Sequence, residues 1–323
     1  MPSAAELARL LRGELHGPPP GPLTGVATLL DAGPGEVAVL FADASPRIRR
    51  QLRSCRAGVL VCAAGDLPEG APVCRIVVSA PQRALVTLIE LLRPQSAPSA
   101  GVHPSAVVDD GALIDPSACV AALAYIASDV VIGPGSWIGP GVRLLPGTRI
   151  GAGVWIGANT VIGERGFGYL PPGPDGIRDP IPHPGGVIID DGAHIGALCA
   201  VDAGTLSATW IGAHARIDNL VQVGHNARVL EGAVLCGQTG IAGSAVVGAG
   251  AVLAGQTGVI DHKVIGDGAV LMARSVAFHD VPPGAVFGGI PARPRMEWLS
   301  EQAALARLAR GQRQTETEDA DEQ

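Results

Sequence analysis

Apolar residues recur every six positions along most of this chain. From Val102 the series reads Val102, Val108, Ile114, Val120, Ile126, Ile132, Ile138, Leu144, Ile150, Ile156 and Ile162 without a miss. The register breaks at GFGYLPPGPDGIRDPIPHPGGV and resumes at Ile189, Ile195 and Val201. A four-residue step from Ser207 to Ile211 shifts it, after which it runs unbroken in sixes to Leu271. A hexapeptide period predicts a parallel β-helix. Each hexapeptide supplies one short strand and a turn, and three make a triangular coil of about 18 residues. The apolar residue points inward and stacks on its equivalent in the next coil. Small residues fit the corners, where glycine tolerates a positive φ.

Composition agrees with a coil of short strands. The 323 residues include 45 glycines and 27 prolines, a level that would suggest disorder if no period were present. Aromatic residues make up 3% and charged residues 16%, so the core is left to Val, Ile, Leu and Ala. Net charge is -7, with five of the acids in the last nine residues, TETEDADEQ. No basic stripe of the kind a nucleic-acid binder carries is present. The cysteines at 55, 62, 74, 119, 199 and 236 form no CxxC pair and no zinc spacing. They read as buried, reduced thiols of a cytoplasmic protein. The N-terminus lacks the apolar core of a signal peptide, and no apolar run approaches the roughly 20 residues of a membrane span.

Residues 1–95 have a different pattern. SAAELARLL opens with a capping box, Ser3 with Glu6, and reads as a helix. AGVLVCA and CRIVVSA read as buried strands and QRALVTLIELL as a helix, which together predict a small α/β domain of nucleotide-binding type. RPQSAPSAG is a linker. The β-helix is expected over 102–291, with a loop insertion at 166–187. A C-terminal helix over 292–312 and a disordered acidic tail over 313–323 complete the chain.

Several local stretches carry a more specific likeness: IGANTVIGERGFGY (156–169), IDNLVQVGHN (217–226), IAGSAVVGAG (241–250), DHKVIGD (261–267) and GGIPARPRMEWL (288–299). In this order, with the insertion after GFGY, they resemble the UDP-3-O-acylglucosamine N-acyltransferases, a family of lipid A biosynthesis within the hexapeptide-repeat acyltransferases. The likeness covers about residues 100 to 300 well and the first 95 poorly. It implies a left-handed coil, a homotrimer with sites between subunits, and no cofactor. It also implies transfer of a 3-hydroxyacyl group from the phosphopantetheine thioester of acyl carrier protein to the 2-amino group of a UDP-linked, 3-O-acylated glucosamine. By resemblance His225 is the general base, Asp218 the carboxylate that orients it, and Gly243 the backbone donor to the thioester oxygen. Asn219 and His262 match further substrate-binding positions, and Phe167 and Tyr169 open a loop that seats the nucleotide sugar. An imidazole suits deprotonation of an attacking amine, because its pKa lies near neutrality.

The chain departs from the family where aromatic residues of the N-terminal domain hold the uracil. The family's Phe-x-x-Asn-Pro-x-Tyr stretch corresponds to LFADASPRIRRQL. Phe41 stands one position further from Pro46, Ser45 replaces the asparagine, and Ile48, with no π face for stacking, replaces the tyrosine. Two other readings therefore stay open: a diverged transferase acting on another nucleotide amino sugar, and a non-catalytic β-helical scaffold. The zinc histidines of a γ-class carbonic anhydrase are not matched, since His225 has no histidine partner five residues away.

Overall fold

In the computed structural model the chain divides into two compact units, Met1–Ala97 and Pro98–Gln323. Residues 2–65, 72, 74–94 and 99–321 are described, with side chains through residue 308. Residues 95–98 of the expected linker lie outside the described residues.

The first unit is a five-stranded sheet with helices. The strands are β1 (Glu14–His16), β2 (Gly25–Val26), β3 (Glu36–Val39), β4 (Val59–Cys62) and β5 (Arg75–Val77), in the order β1-β5-β4-β3-β2. β2 to β5 run parallel and β1 is antiparallel to β5. All four residues of β4 are buried, as expected of a central strand covered on both faces. Leu7 of helix α1 (Ala4–Leu10) and Leu88 of α3 (Pro81–Leu92) pack with Val37, Val59 and Ile76, whereas Leu52 packs with Ala38 and Leu60 in a second core. The capping box forms as read, with Glu6 N–H donating to Ser3 Oγ and Ser3 N–H to the Glu6 carboxylate. Ser45 is the N-cap of helix α2 (Pro46–Gln51), accepting from Ile48 N–H. Serine thus keeps the helix-starting role that asparagine would fill. Phe41 and Ile48 are both partly exposed.

The second unit is the parallel β-helix. Three sheets of nine, eight and eleven strands form its faces, and neighbouring strands come from successive coils except for a terminal antiparallel pair, Val286–Gly288 with Arg293–Pro294. Ile217 stacks on Leu235, Val223 on Ile241 and Val229 on Val247. Every inward residue from Ile211 to Leu271 is buried, and each contributes on the order of 1.5–3 kcal/mol of transfer free energy. Val102 and Val108 belong to the same series yet are exposed, because they lie in the first coil and only one neighbouring coil packs on them.

Glycine is not the main carrier of the left-handed corner conformation in the later coils. Leu220, Gln238, Gln256 and Arg274 adopt positive φ at one corner, each a full coil after the last, and Asn226, Ser244 and His262 do so at the next corner. Glycine is needed instead for close approach between coils. A Cβ on Gly224 would lie 2.8 Å from Gly243 N.

The insertion leaves the coil after Val161–Glu164 and returns at Val187–Ile189. Strands on either side still pair, Ile162 with Val201 and Ile150 with Ile189, so the core continues beneath the loop. At the other end helix α4 spans Arg295–Asp321. The helix expected to stop at 312 therefore continues into the region read as a disordered tail, where no proline interrupts it; residues 322–323 lie outside the described residues. Among the described residues no helix is long and apolar enough to cross a membrane.

Candidate active site

The chain leaves strand Gln222–Val223, turns the corner at Gly224 to Ala227 and enters strand Arg228–Val229. His225 projects from this corner into a cavity of about 710 Å³. The stacked positions of the next two coils, Gly243 and Asp261, line the same cavity, as do His262, Gln222, Asp202 and the loop residues Arg165, Phe167 and Tyr169.

Asn226 fixes the His225 ring. Its amide orientation is set by backbone groups that have only one role each. The Ser207 carbonyl can only accept, and it takes Asn226 Nδ2–H at 2.9 Å; the Thr205 N–H can only donate, and it meets Asn226 Oδ1 at 3.1 Å. Oδ1 therefore also faces His225 Nδ1, at 3.1 Å, as an acceptor. Nδ1 then carries the proton and Nε2 keeps its lone pair, an assignment made from the hydrogen-bond network. The Nε2 side of the ring sits over Gly243, where a Cβ would come within 2.7 Å of both Nε2 and Cε1. The Gly243 carbonyl accepts from His262 N–H, while its own N–H has no partner among the described residues.

Asp218 stands elsewhere. Its carboxylate accepts from Asn219 N–H at 2.7 Å and Gly237 N–H at 3.0 Å, so within one chain it does not orient His225. The reason is the period itself: Asp218 precedes His225 by one hexapeptide plus one position, which places the two at neighbouring corners. Asp218 and Asn219 line a separate depression with Gln238, Gln256 and Arg274. Both corners flank the strand Gln222–Val223.

The carboxylate beside His225 is Asp202, at the end of strand Ala200–Asp202 and 8% exposed. Burial pushes its carboxyl above the ordinary carboxylate range, against the pull of Gln222 and of the His225 and His183 imidazoles. Asp202 escapes the sequence pattern because the shift between Ser207 and Ile211 separates it from His225. Ala200 therefore pairs with Gln222 across a coil longer than the period predicts. Asp261, by contrast, lies two regular coils after His225 and was accessible from the period alone. Tyr169 and Phe167 meet edge to face at 5.2 Å, and Arg165 lies over the Tyr169 ring. Phe167 is 84% exposed and Tyr169 38%, so both offer open ring surface to a ligand. Phe41 belongs to the other unit. Among the described residues, no group of three or more His, Cys, Asp or Glu side chains is placed to hold a metal ion.

Residues 129–164 match the bacterial transferase hexapeptide family, described as six repeats. A UDP-3-O-acylglucosamine N-acyltransferase of Azorhizobium caulinodans is 47% identical over 313 residues, covering 89% of this chain and 86% of its own length. The chain belongs to the UDP-3-O-acylglucosamine N-acyltransferase family. A member of this family from Caulobacter sp. strain K31 is 40% identical over 151 residues, 47% of this chain and 44% of the relative, so there the match spans less than half of either protein. Among solved structures, a UDP-N-acetylglucosamine acyltransferase from Campylobacter jejuni superposes with a TM-score of 0.55 at 26% identity, over 60% of this chain and 74% of that one. For a UDP-3-O-acylglucosamine N-acyltransferase family member, the open lone pair of His225 and the unpartnered N–H of Gly243 are chemically apt, because acyl transfer to an amine needs a proton acceptor and an oxyanion donor.

Proposed function

We propose that this chain transfers a 3-hydroxyacyl group from the pantetheine thioester of acyl carrier protein to the 2-amino group of UDP-3-O-(3-hydroxyacyl)-glucosamine, with His225 as general base. The observation that carries the reading is the placement of His225: Nδ1 held by Asn226, Nε2 free over Gly243, in a cavity large enough for two reacting groups. The neutral amine attacks the thioester carbonyl carbon as Nε2 takes its proton. Charge that develops on the carbonyl oxygen is met by the Gly243 N–H. Collapse breaks the carbon–sulfur bond, and the imidazolium returns its proton to the thiolate, leaving an amide and a free thiol. Asp202 is the counter-charge to the transient imidazolium. The chain acts as a homotrimer in the cytoplasm, without a cofactor of its own. In that assembly the corner bearing Asp218 and Asn219 borders a neighbouring subunit's site and binds substrate there, as do His262, Phe167 and Tyr169 within the cavity.

The test is acyl transfer followed by mass spectrometry, with 3-hydroxyacyl carrier protein and UDP-3-O-(3-hydroxyacyl)-glucosamine as substrates. Amide product supports the reading. A folded protein that gives no product with this acceptor, but acylates another nucleotide amino sugar, would assign the Ser45 and Ile48 changes to acceptor choice. Inactivity with every amino sugar would leave a scaffold.

Asn226 has a separate expected outcome. Asn226→Gly keeps a residue that adopts positive φ without cost and removes only the amide. Freed from its acceptor, His225 loses both tautomer and aim, and kcat is expected to fall about 10²-fold, the scale for a misplaced reacting group. KM should move far less, and steady-state kinetics separate the two.

A further inference from the structure

His183 sits in the insertion loop and packs on the base. Its ring centroid is 4.8 Å from that of His225, at an interplanar angle of 57°. Both of its nitrogens are buried, and among the described residues neither makes a well-formed hydrogen bond, although the Ile181 backbone lies close enough to favour a proton on the ring. The loop is shaped around it: a Cβ on Gly166 would come within 2.8 Å of the His183 ring and 2.6 Å of His225 Cβ, and one on Gly168 within 2.9 Å of the His183 ring. Two buried nitrogens without partners are unfavourable, and a phenyl ring of the same shape would avoid that penalty. Packing alone therefore gives no reason for an imidazole here.

We propose that His183 is a positioning residue that couples the loop 165–186 to the base: uncharged, it clamps the loop onto His225; protonated, it leaves, and the loop lifts from the site. The proposal rests on His225 being the base. The charged and titratable groups facing His183 are His225 from the corner, Asp202 from the adjoining strand and Arg165 from the loop. A proton on His183 would be buried, would face the Arg165 guanidinium and, whenever it is protonated, the His225 imidazolium as like charges, and among the described residues would find Asp202 as its counter-charge. Burial holds the imidazole below the ordinary histidine range; His225 and Arg165 push the same way, while Asp202 and the Ile181 backbone oppose. The sign follows. Above about pH 6.5 the open and closed loops are both neutral at His183 and closure is independent of pH. As pH falls below that, the open form takes the proton first, and closure weakens by up to about tenfold per pH unit until the closed form also protonates.

Hydrogen exchange of the 165–186 amides, corrected for the intrinsic pH dependence of exchange, reads closure without any substrate. It therefore stays informative even if the transfer reaction proves different. Protection in wild type should fall by up to about tenfold between about pH 7.5 and pH 5.5, on either side of the histidine range. His183→Phe should stay protected at both, and His183→Ala should be unprotected at both. His225→Asn should retain the acid opening. In the transfer assay, the acid limb of kcat/KM should be steeper for wild type than for His183→Phe, which keeps only the single titration of the base. Acid opening in His183→Phe equal to wild type, full protection in His183→Ala, or loss of the opening in His225→Asn alone would each overturn the proposal.

Discussion

His225→Ala is expected to reduce kcat by about 10² to 10⁴-fold, the range for loss of a general base, with the fold intact. The structural reason for a selective effect is that the ring belongs to a corner and not to the core. Ile217, Val223, Val229 and Leu235 around it are buried without its help, and its side chain makes a single hydrogen bond, to Asn226. Thermal unfolding should therefore shift little while turnover collapses. A residual rate within a few-fold of wild type would move the base elsewhere in the cavity, and His262 would be the first residue to examine.

Gly243→Ala is expected to be nearly as damaging although it adds one methyl group. Gly243 does not have a positive φ, so alanine is tolerated by the backbone and the effect isolates the space above it. The new Cβ would stand 2.7 Å from His225 Nε2 and Cε1, closer than carbon and nitrogen can pack. Either the imidazole swings off Asn226 or the corner moves, and a misplacement of this size costs about 10²-fold in rate. Overpacking should cost about 1–3 kcal/mol of stability, measurable by denaturant unfolding. Because both substitutions act through one imidazole, the double variant should be little worse than His225→Ala. An additive double loss would show that Gly243 acts on the reaction independently of the ring.

The coil was legible because its signal is periodic. Eleven inward positions from Ile211 to Leu271 are all found in the core, and the period required only that apolar residues repeat. His225, Gly243 and His262 were legible as motif residues, and the cavity brings them together. Asp202, Asn226 and His183 were not. Asp202 precedes the shift between Ser207 and Ile211, and His183 lies in the insertion. The arithmetic of sixes fails at both places, and the approach of these residues to His225 is a tertiary contact with no trace in spacing. Asn226 closes the IDNLVQVGHN motif, but the motif does not tell its role, which lies in four hydrogen bonds to Thr205 and Ser207 across the coil and in its contact with His225. In the first unit β1 and β2 stand among Gly- and Pro-rich turns and carry too few alternations to stand out, whereas β4 and β5, which are also short, lie inside the longer apolar runs of AGVLVCA and CRIVVSA.

The insertion also has a consequence for how the molecule assembles. Elsewhere in the β-helix most strands pair with the strand one regular coil on, as Val234 does with Val252, so growth from one coil to the next closes loops of constant length. At the insertion the partners are more than twice as far apart along the chain, as for Val161 and Ala200. The longer loop raises the closure entropy by about 0.7 kcal/mol per such step, from the logarithmic dependence on length. Coil-by-coil zipping slows at that seam from either side. The segment from Val187 onward, which carries His225 and Gly243, and the segment before Glu164 are joined in one continuous core, and the loop that borders the site spans the joint where that longer closure has to be made.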